Sequence, residues 1–255
     1  MRDLEGKVVL VTGGGSGIGR EASLLFAEYG AKVVVADISA NNAAAVASEI
    51  KDKGAQAVQV HCDVTDPGSV AEMIAKTIEN FGVLDCAVNN AGIIGRIGSI
   101  SEISLDDWTR VTRVNLDSVF LCLKEEFKVM RPRRKGAIVN TCSIFSSVTF
   151  PNYSAYTASK FGVLGLTKTA ALEVAKEGIR VNGVAPGFTV TPLITQEGLK
   201  LQKGSEAYQQ ADNLHPIGRM AEPREIAEGI AWLCSDASRF VVGHMLSVDG
   251  GYTAV

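Results

Sequence analysis

The sequence predicts an α/β protein, a single domain built on a doubly wound parallel sheet of about seven strands with helices on both faces. Three observations predict it. Short Val-rich runs alternate with longer stretches of helical period along the chain, the pattern of repeated strand–helix–strand units. No Pro/Ser-rich linker, low-complexity tract or internal repeat interrupts the alternation, so residues 1–255 read as one domain. The first strand runs into a glycine-rich turn, TGGGSGIG at residues 12–19, that leads directly into a helix.

The strands read in order as KVVLV (7–11), KVVVA (32–36), AQAVQVHC (55–62), LDCAVNN (84–90), GAIVNTC (136–142), IRVNGVA (179–185) and HMLSV (244–248). Their near-continuous apolar character suits strands covered on both faces. Between them, apolar residues stand three and four apart, as at Ala22, Leu25, Phe26 and Tyr29 or Val70, Met73, Ile74 and Ile78, the stripe of a helix packed on a sheet. One long helix is expected from about Leu105, ending at the basic run RPRRK (131–135), where cations complement the helix dipole. The strand-free stretch from Pro192 to His215 reads as polar and helical. An insertion of that length near the sheet's C-terminal edge is expected to form a substrate lid at about 190–215.

Composition narrows the function. With 25 Lys+Arg against 28 Asp+Glu the net charge is −3, which argues against a nucleic-acid partner. Apolar runs fall short of a membrane span, and the N-terminal one is too short for a signal peptide. Five scattered cysteines without a CxxC pair favour reduced thiols in a cytoplasmic protein. Of the three histidines, His215 and His244 lack a cysteine or carboxylate at ligand spacing and His61, beside Cys62, reads as the end of a strand, so no metal is expected.

The glycine turn, with Gly13, Gly17 and Gly19 after the first strand, lets backbone N–H groups approach a pyrophosphate at the positive end of a helix. By itself it is also just a tight turn. Asp37 closes the second strand eighteen residues past Gly19, where a Rossmann-like dinucleotide fold places an acid on the adenosine ribose. A carboxylate there accepts from both ribose hydroxyls of NAD and repels the 2′-phosphate of NADP, and neither Ser16 nor Ile38 supplies a cation for that phosphate. The predicted cofactor is therefore NAD, preferred over NADP; a helix N-cap is the other reading of Asp37. In YTASK, Tyr156 and Lys160 stand four apart on one helix face. An ammonium beside a phenol favours phenolate, which makes an acid/base for an alcohol or a carbonyl. Without company this is a common surface pair, but Ser143 lies just past the strand GAIVNTC, and NNAG (89–92) and Asn115 stand upstream.

Taken together these residues resemble the short-chain dehydrogenase/reductases over essentially the whole chain. The carrying motifs are TGGGSGIG, Asp37, Asp63 with Val64, NNAG, Asn115 in RVNLDSVF, Ser143, YTASK, the PG of APGFTVTP and HMLSVDGGY. The resemblance implies that Tyr156 is the catalytic acid/base, that Lys160 lowers its pKa and holds the nicotinamide ribose, that Ser143 binds the substrate oxygen, and that Asn115 holds a water for proton relay. It further implies cofactor contacts from Gly13, Ser16, Gly17, Ile18, Gly19, Asp37, Ile38, Asp63, Val64, Asn90, Ala91, Gly92, Pro186, Gly187, Thr189 and Thr191. The expected activity is NAD-dependent interconversion of a secondary alcohol and its ketone.

Substrate-wall candidates are Ser143, Ile144, Phe145, Asn152, Tyr153, Tyr156, Phe188, Leu193 and Ile194, mostly apolar, which suits a hydrophobic or cyclic small-molecule alcohol. Arg96, Lys200 and Lys203 are the cations that could meet an anionic group. A 3-oxoacyl thioester reductase or a sugar or polyol dehydrogenase of the same family is the alternative. A sugar-nucleotide epimerase, usually with GxxGxxG glycines and a larger C-terminal domain, fits less well. A nucleotide-sensing scaffold that has lost its catalysis is disfavoured because all four catalytic positions are filled. The resemblance also implies a homotetramer through the helices near 105–130 and 154–176, with Ala158, Gly162, Gly165 and Thr169 among their small residues.

Overall fold

A computed structural model describes residues 1–254, apart from the side chains of Arg2 and Glu197. Seven strands form one sheet: β1 (Val8–Thr12), β2 (Lys32–Asp37), β3 (Ala57–His61), β4 (Cys86–Asn89), β5 (Gly136–Thr141), β6 (Ile179–Pro186) and β7 (Met245–Val248). Their order is β3-β2-β1-β4-β5-β6-β7, and every pair is parallel. The predicted strands all appear, each within two residues of its expected ends.

Eight α-helices join them: α1 (Gly17–Glu28), α2 (Ala40–Asp52), α3 (Pro67–Phe81), α4 (Leu105–Thr112), α5 (Ser118–Met130), α6 (Ser154–Val174), α7 (Glu206–Asn213) and α8 (Pro223–Cys234). The pleat divides the core in two. Val9, Val11, Val33 and Val35 face α1, α2 and α8 on one side. Val8, Leu10 and Val34 meet α3, α5 and α6 on the other. Alternate residues of one strand thus bury against helices on opposite faces, which is why these strands are apolar at every position.

The chain winds outward from β1 to β3, then crosses to β4 and winds the other way. That reversal opens a crevice at the carboxyl ends of β1 and β4.

One expectation changes. The single long helix from Leu105 is two helices joined by a π turn at Arg113–Asp117. The extra residue in that turn lets the buried Asn115 reach a neighbouring segment, a tertiary demand invisible to helical periodicity. The Pro192–His215 stretch is strand-free and contains α7 as well as a π turn at Leu193–Glu197. Its inner face is not polar, since Leu193, Ile194, Leu199, Leu201 and Tyr208 cluster with Ile94 and Met220.

Candidate active site

The cleft at the switch point has a volume of about 510 Å³. All the residues assigned to the cofactor from sequence line it, except Gly19. Gly19 acts from behind, because a Cβ there would run into the Gly13 carbonyl, so the first turn of α1 can close on the glycine loop only without a side chain. Thr12 Oγ1 accepts from the Asn90 and Ala91 amides at 3.0 and 3.3 Å, and Asn90 Nδ2 donates to the Thr12 and Gly13 carbonyls at 3.2 and 3.3 Å. The Asn90 side chain therefore braces the glycine loop, and Thr12, the first residue of TGGGSGIG, is its counterpart.

Asp37 is buried at the end of β2. Its Oδ2 accepts from the Gly15 amide at 2.9 Å and its Oδ1 from the Ser39 amide at 2.8 Å. The N-cap of α2 is Ser39, not Asp37. Each carboxylate oxygen accepts one bond and so retains acceptor capacity, and Asp37 lines the cleft. The cations lining the cleft, among the described residues, are Arg110 and Lys160.

Ser143 follows β5 with extended backbone and caps a one-turn helix at Ile144–Ser146, its Oγ accepting from the Phe145 amide at 3.1 Å. Ser146 Oγ donates to the Lys160 carbonyl at 2.8 Å, tying that turn to α6. Lys160 is nearly fully buried. Its Nζ donates to the Thr141 carbonyl at 2.7 Å and lies 5.7 Å from the Tyr156 ring centre. Burial lowers Lys160 to about 8. Burial likewise holds Tyr156 above the ordinary phenol value, with the neighbouring Ser143 hydroxyl pulling the other way. In this geometry desolvation, rather than the lysine charge, dominates the tyrosine.

Asn115 does not line the cleft. Its Oδ1 accepts from the Ile93 amide at 2.8 Å, and its Nδ2 donates to the Ile93 carbonyl at 2.9 Å and to Ser159 Oγ at 3.1 Å. Both amide protons are used and Oδ1 accepts one bond, so a relay water at this side chain could only donate to Oδ1. Cys142 is buried, with its thiol pushed up to about 11, and carries no reactive thiolate at neutral pH.

At the substrate end, Ile144, Phe145, Tyr153, Phe188, Leu193 and Ile194 line the cleft as expected, but Asn152 does not. Phe145 packs against both Tyr153 and Tyr156, ring centres 5.2 and 5.7 Å apart. Arg96, Lys200 and Lys203 do not line it; Arg96 stands 4.0 Å from the Asp107 carboxylate. Arg110, which does, was missed because nothing in its local sequence marks it.

A glycine cradle, a carboxylate at the end of β2 and a Tyr/Lys/Ser group, its lysine and serine buried and its tyrosine half-buried, on a switch-point crevice define a nicotinamide-dinucleotide oxidoreductase. The chain belongs to the short-chain dehydrogenase/reductase family, whose members use nicotinamide cofactors, and it acts on secondary alcohols and ketones. The family model that matches residues 13–253 is described as enoyl-(acyl carrier protein) reductase. Relatives include the cyclohexanol dehydrogenase of Acinetobacter sp. (strain SE19), 42% identical over 97% of this chain and 95% of that one. The cis-4-hydroxycyclohexanecarboxylate dehydrogenase of Sinomonas cyclohexanicum is 45% identical over 98% and 97%. A 3-oxoacyl-[acyl-carrier-protein] reductase of Thermotoga maritima is 40% identical over 97% and 98%. Among solved structures, levodione reductase superposes with a TM-score of 0.94 at 34% identity, covering 98% of each chain. NAD+-bound xylitol dehydrogenase gives 0.92 at 32%, covering 97% and 99%.

Proposed function

We propose that this protein interconverts a hydrophobic, cyclic secondary alcohol and its ketone, using NAD in preference to NADP. The observation that carries the substrate reading is the wall of Ile144, Phe145, Phe188, Leu193 and Ile194 beside Tyr156. The names of the relatives that act on cyclohexanol and on a hydroxycyclohexanecarboxylate run the same way. NAD preference is supported by the Asp37 carboxylate at the cleft.

In the oxidising direction, Tyr156 first gives its own proton to solvent, and as phenolate its Oη takes the alcohol proton while Ser143 Oγ donates to the same oxygen and holds it in place. A nicotinamide held beside Lys160 and the Pro186–Thr191 segment would supply the hydride acceptor for the carbinol carbon, and the donor in the reverse direction. Lys160, anchored on the Thr141 carbonyl, places a buried cation beside the phenol ring. Asn115 holds Ile93 and so fixes the wall of the cleft after NNAG. The Pro186–Thr191 segment carries Thr189 and Thr191, whose hydroxyls donate to the Gly187 and Thr189 carbonyls at 3.0 and 3.3 Å and stiffen the loop for a carboxamide. Residues 190–215 act as the lid.

An exposed stripe of Ala158, Phe161, Gly165, Thr169 and Leu172 on α6, with Phe120 on α5, supports a homotetramer. Gly162 belongs to the chain's own packing instead, since a Cβ there would sit 2.7 Å from Leu116. No helix among the described residues is long and apolar enough to cross a membrane. The five buried cysteines, all free, support a cytoplasmic setting.

The test is a panel of cyclic and open-chain alcohols, polyols and 3-oxoacyl thioesters, assayed by NADH absorbance with wild type and Tyr156→Phe. Turnover of cyclic alcohols that the variant abolishes supports the reading. Turnover that persists in Tyr156→Phe overturns the mechanism, and a preference for thioesters or polyols overturns the substrate.

A further inference from the structure

His215 lies just past α7, is 2% exposed and does not line the cleft. Its Nδ1 is 2.9 Å from the Ala211 carbonyl in the last turn of α7, and a carbonyl can only accept, so Nδ1 carries the proton. The other nitrogen, Nε2, accepts from the Phe188 amide at 3.1 Å. A single neutral imidazole thus joins the lid helix to the main chain of the loop that follows β6.

The surroundings are shaped for that ring. A Cβ on Gly187 would fall 2.8 Å from Nε2, so glycine at this position keeps the space the histidine fills. The ring meets Phe188 edge-on at 5.8 Å and Tyr252 at 5.4 Å. Neither adjacent carboxylate is turned to it: Asp249 is spent on the Gly251 and Thr253 amides and the Thr253 hydroxyl, and Asp212 Oδ1 accepts from the Met220 amide. The site therefore suits a neutral ring with one fixed tautomer.

We infer that His215 is a positioning residue for the alcohol–ketone reaction, latching α7 to the Phe188 amide and so fixing the Phe188 wall opposite Tyr156. The inference rests on the functional reading above for its kinetic consequence, not for its geometry. Without the latch, the Gly187–Phe188 segment is held by the Gly187 amide on the Val248 carbonyl at 3.1 Å, together with the Phe188 carbonyl on the Ala221 amide at 2.9 Å. A misplacement of even about 1 Å at a substrate wall costs on the order of a hundredfold in rate.

Two amide substitutions separate the two bonds. His215→Gln places an amide where Nε2 was and can accept from Phe188; His215→Asn places one where Nδ1 was and reaches only Ala211. In kcat/KM for a cyclic alcohol at saturating NAD, His215→Asn is expected to lose roughly ten- to a hundredfold, and His215→Gln to recover most of that loss at comparable melting temperature. Equal losses in the two, or losses that simply follow melting temperature, overturn the latch. Wild-type protein supplies a check that needs no variant and no substrate: long-range 1H–15N spectra near neutral pH should show His215 protonated at Nδ1 alone. An Nε2–H tautomer or a charged ring overturns the inference, whereas failure of wild type to turn over cyclic alcohols overturns the substrate reading and leaves the spectrum to decide the latch.

Discussion

Glu126 is fully buried in α5, and burial pushes its carboxyl to about 8 from 4.5. Asn89 Nδ2 donates to Oε2 at 3.2 Å and to Asn140 Oδ1 at 3.0 Å, leaving Glu126 Oε1 and Asn89 Oδ1 as buried acceptors without donors. A protonated carboxyl supplies one donor to this cluster, and a glutamine supplies two. Between pH 4.5 and about 8 the folded protein holds a proton that the unfolded chain releases, so wild-type stability falls as pH rises through that window and is level above it. At 1.36 kcal/mol per pH unit the full loss is about 5 kcal/mol. Glu126→Gln has no proton to lose, so its stability should match wild type near pH 5 and exceed it by several kcal/mol at pH 8.5. Urea unfolding at fixed protein concentration across pH 5–9 measures this directly. Parallel stability curves for the two proteins would refute the buried neutral carboxyl.

Ser143→Ala should lower kcat by about a hundred- to a thousandfold while leaving NADH affinity, read by fluorescence titration, close to wild type. A loss of only a few-fold would remove Ser143 from the reaction. Asp37→Ala should narrow the ratio of NAD to NADP turnover by relieving repulsion of the 2′-phosphate; a wild-type preference for NADP would overturn the role given to the carboxylate. Leu172→Glu, combined with Phe161→Glu, should reduce the solution mass measured by light scattering, because it buries charge in the stripe on α6. An unchanged mass would place the interface elsewhere.

Most of the fold was legible because both of its signals are local. Strands buried on two faces are apolar throughout, and the helices between them carry one apolar stripe. The candidate catalytic group was legible for the same reason, since Tyr156 and Lys160 share a helix and Ser143 follows a strand. What escaped depends on contacts distant in sequence. Nothing around KEEF says that Glu126 faces the sheet while Glu125 pairs with Lys128 at the surface, at 2.7 Å. The neighbours of His215 are a helix turn, a loop amide and Tyr252, and only the folded chain assembles them. Asn90 lines the cleft, and the brace its side chain gives the glycine loop is again a contact that only the folded chain supplies.

The π turn at Asn115 sets the phase of everything before it. One residue advances an α-helix by about 100°, so the surplus residue decides which way α4 faces relative to α5. In the present phase Val111 covers Gly95, where no side chain would fit, and Asn115 grips both polar groups of Ile93. Deleting a single residue from the turn would give a more regular helix and would swing Val111 off Gly95 and Arg110 and Val114 off the cleft. The irregular turn is thus a gear tooth, holding the outer half of the cofactor cleft in register with the half built on α6.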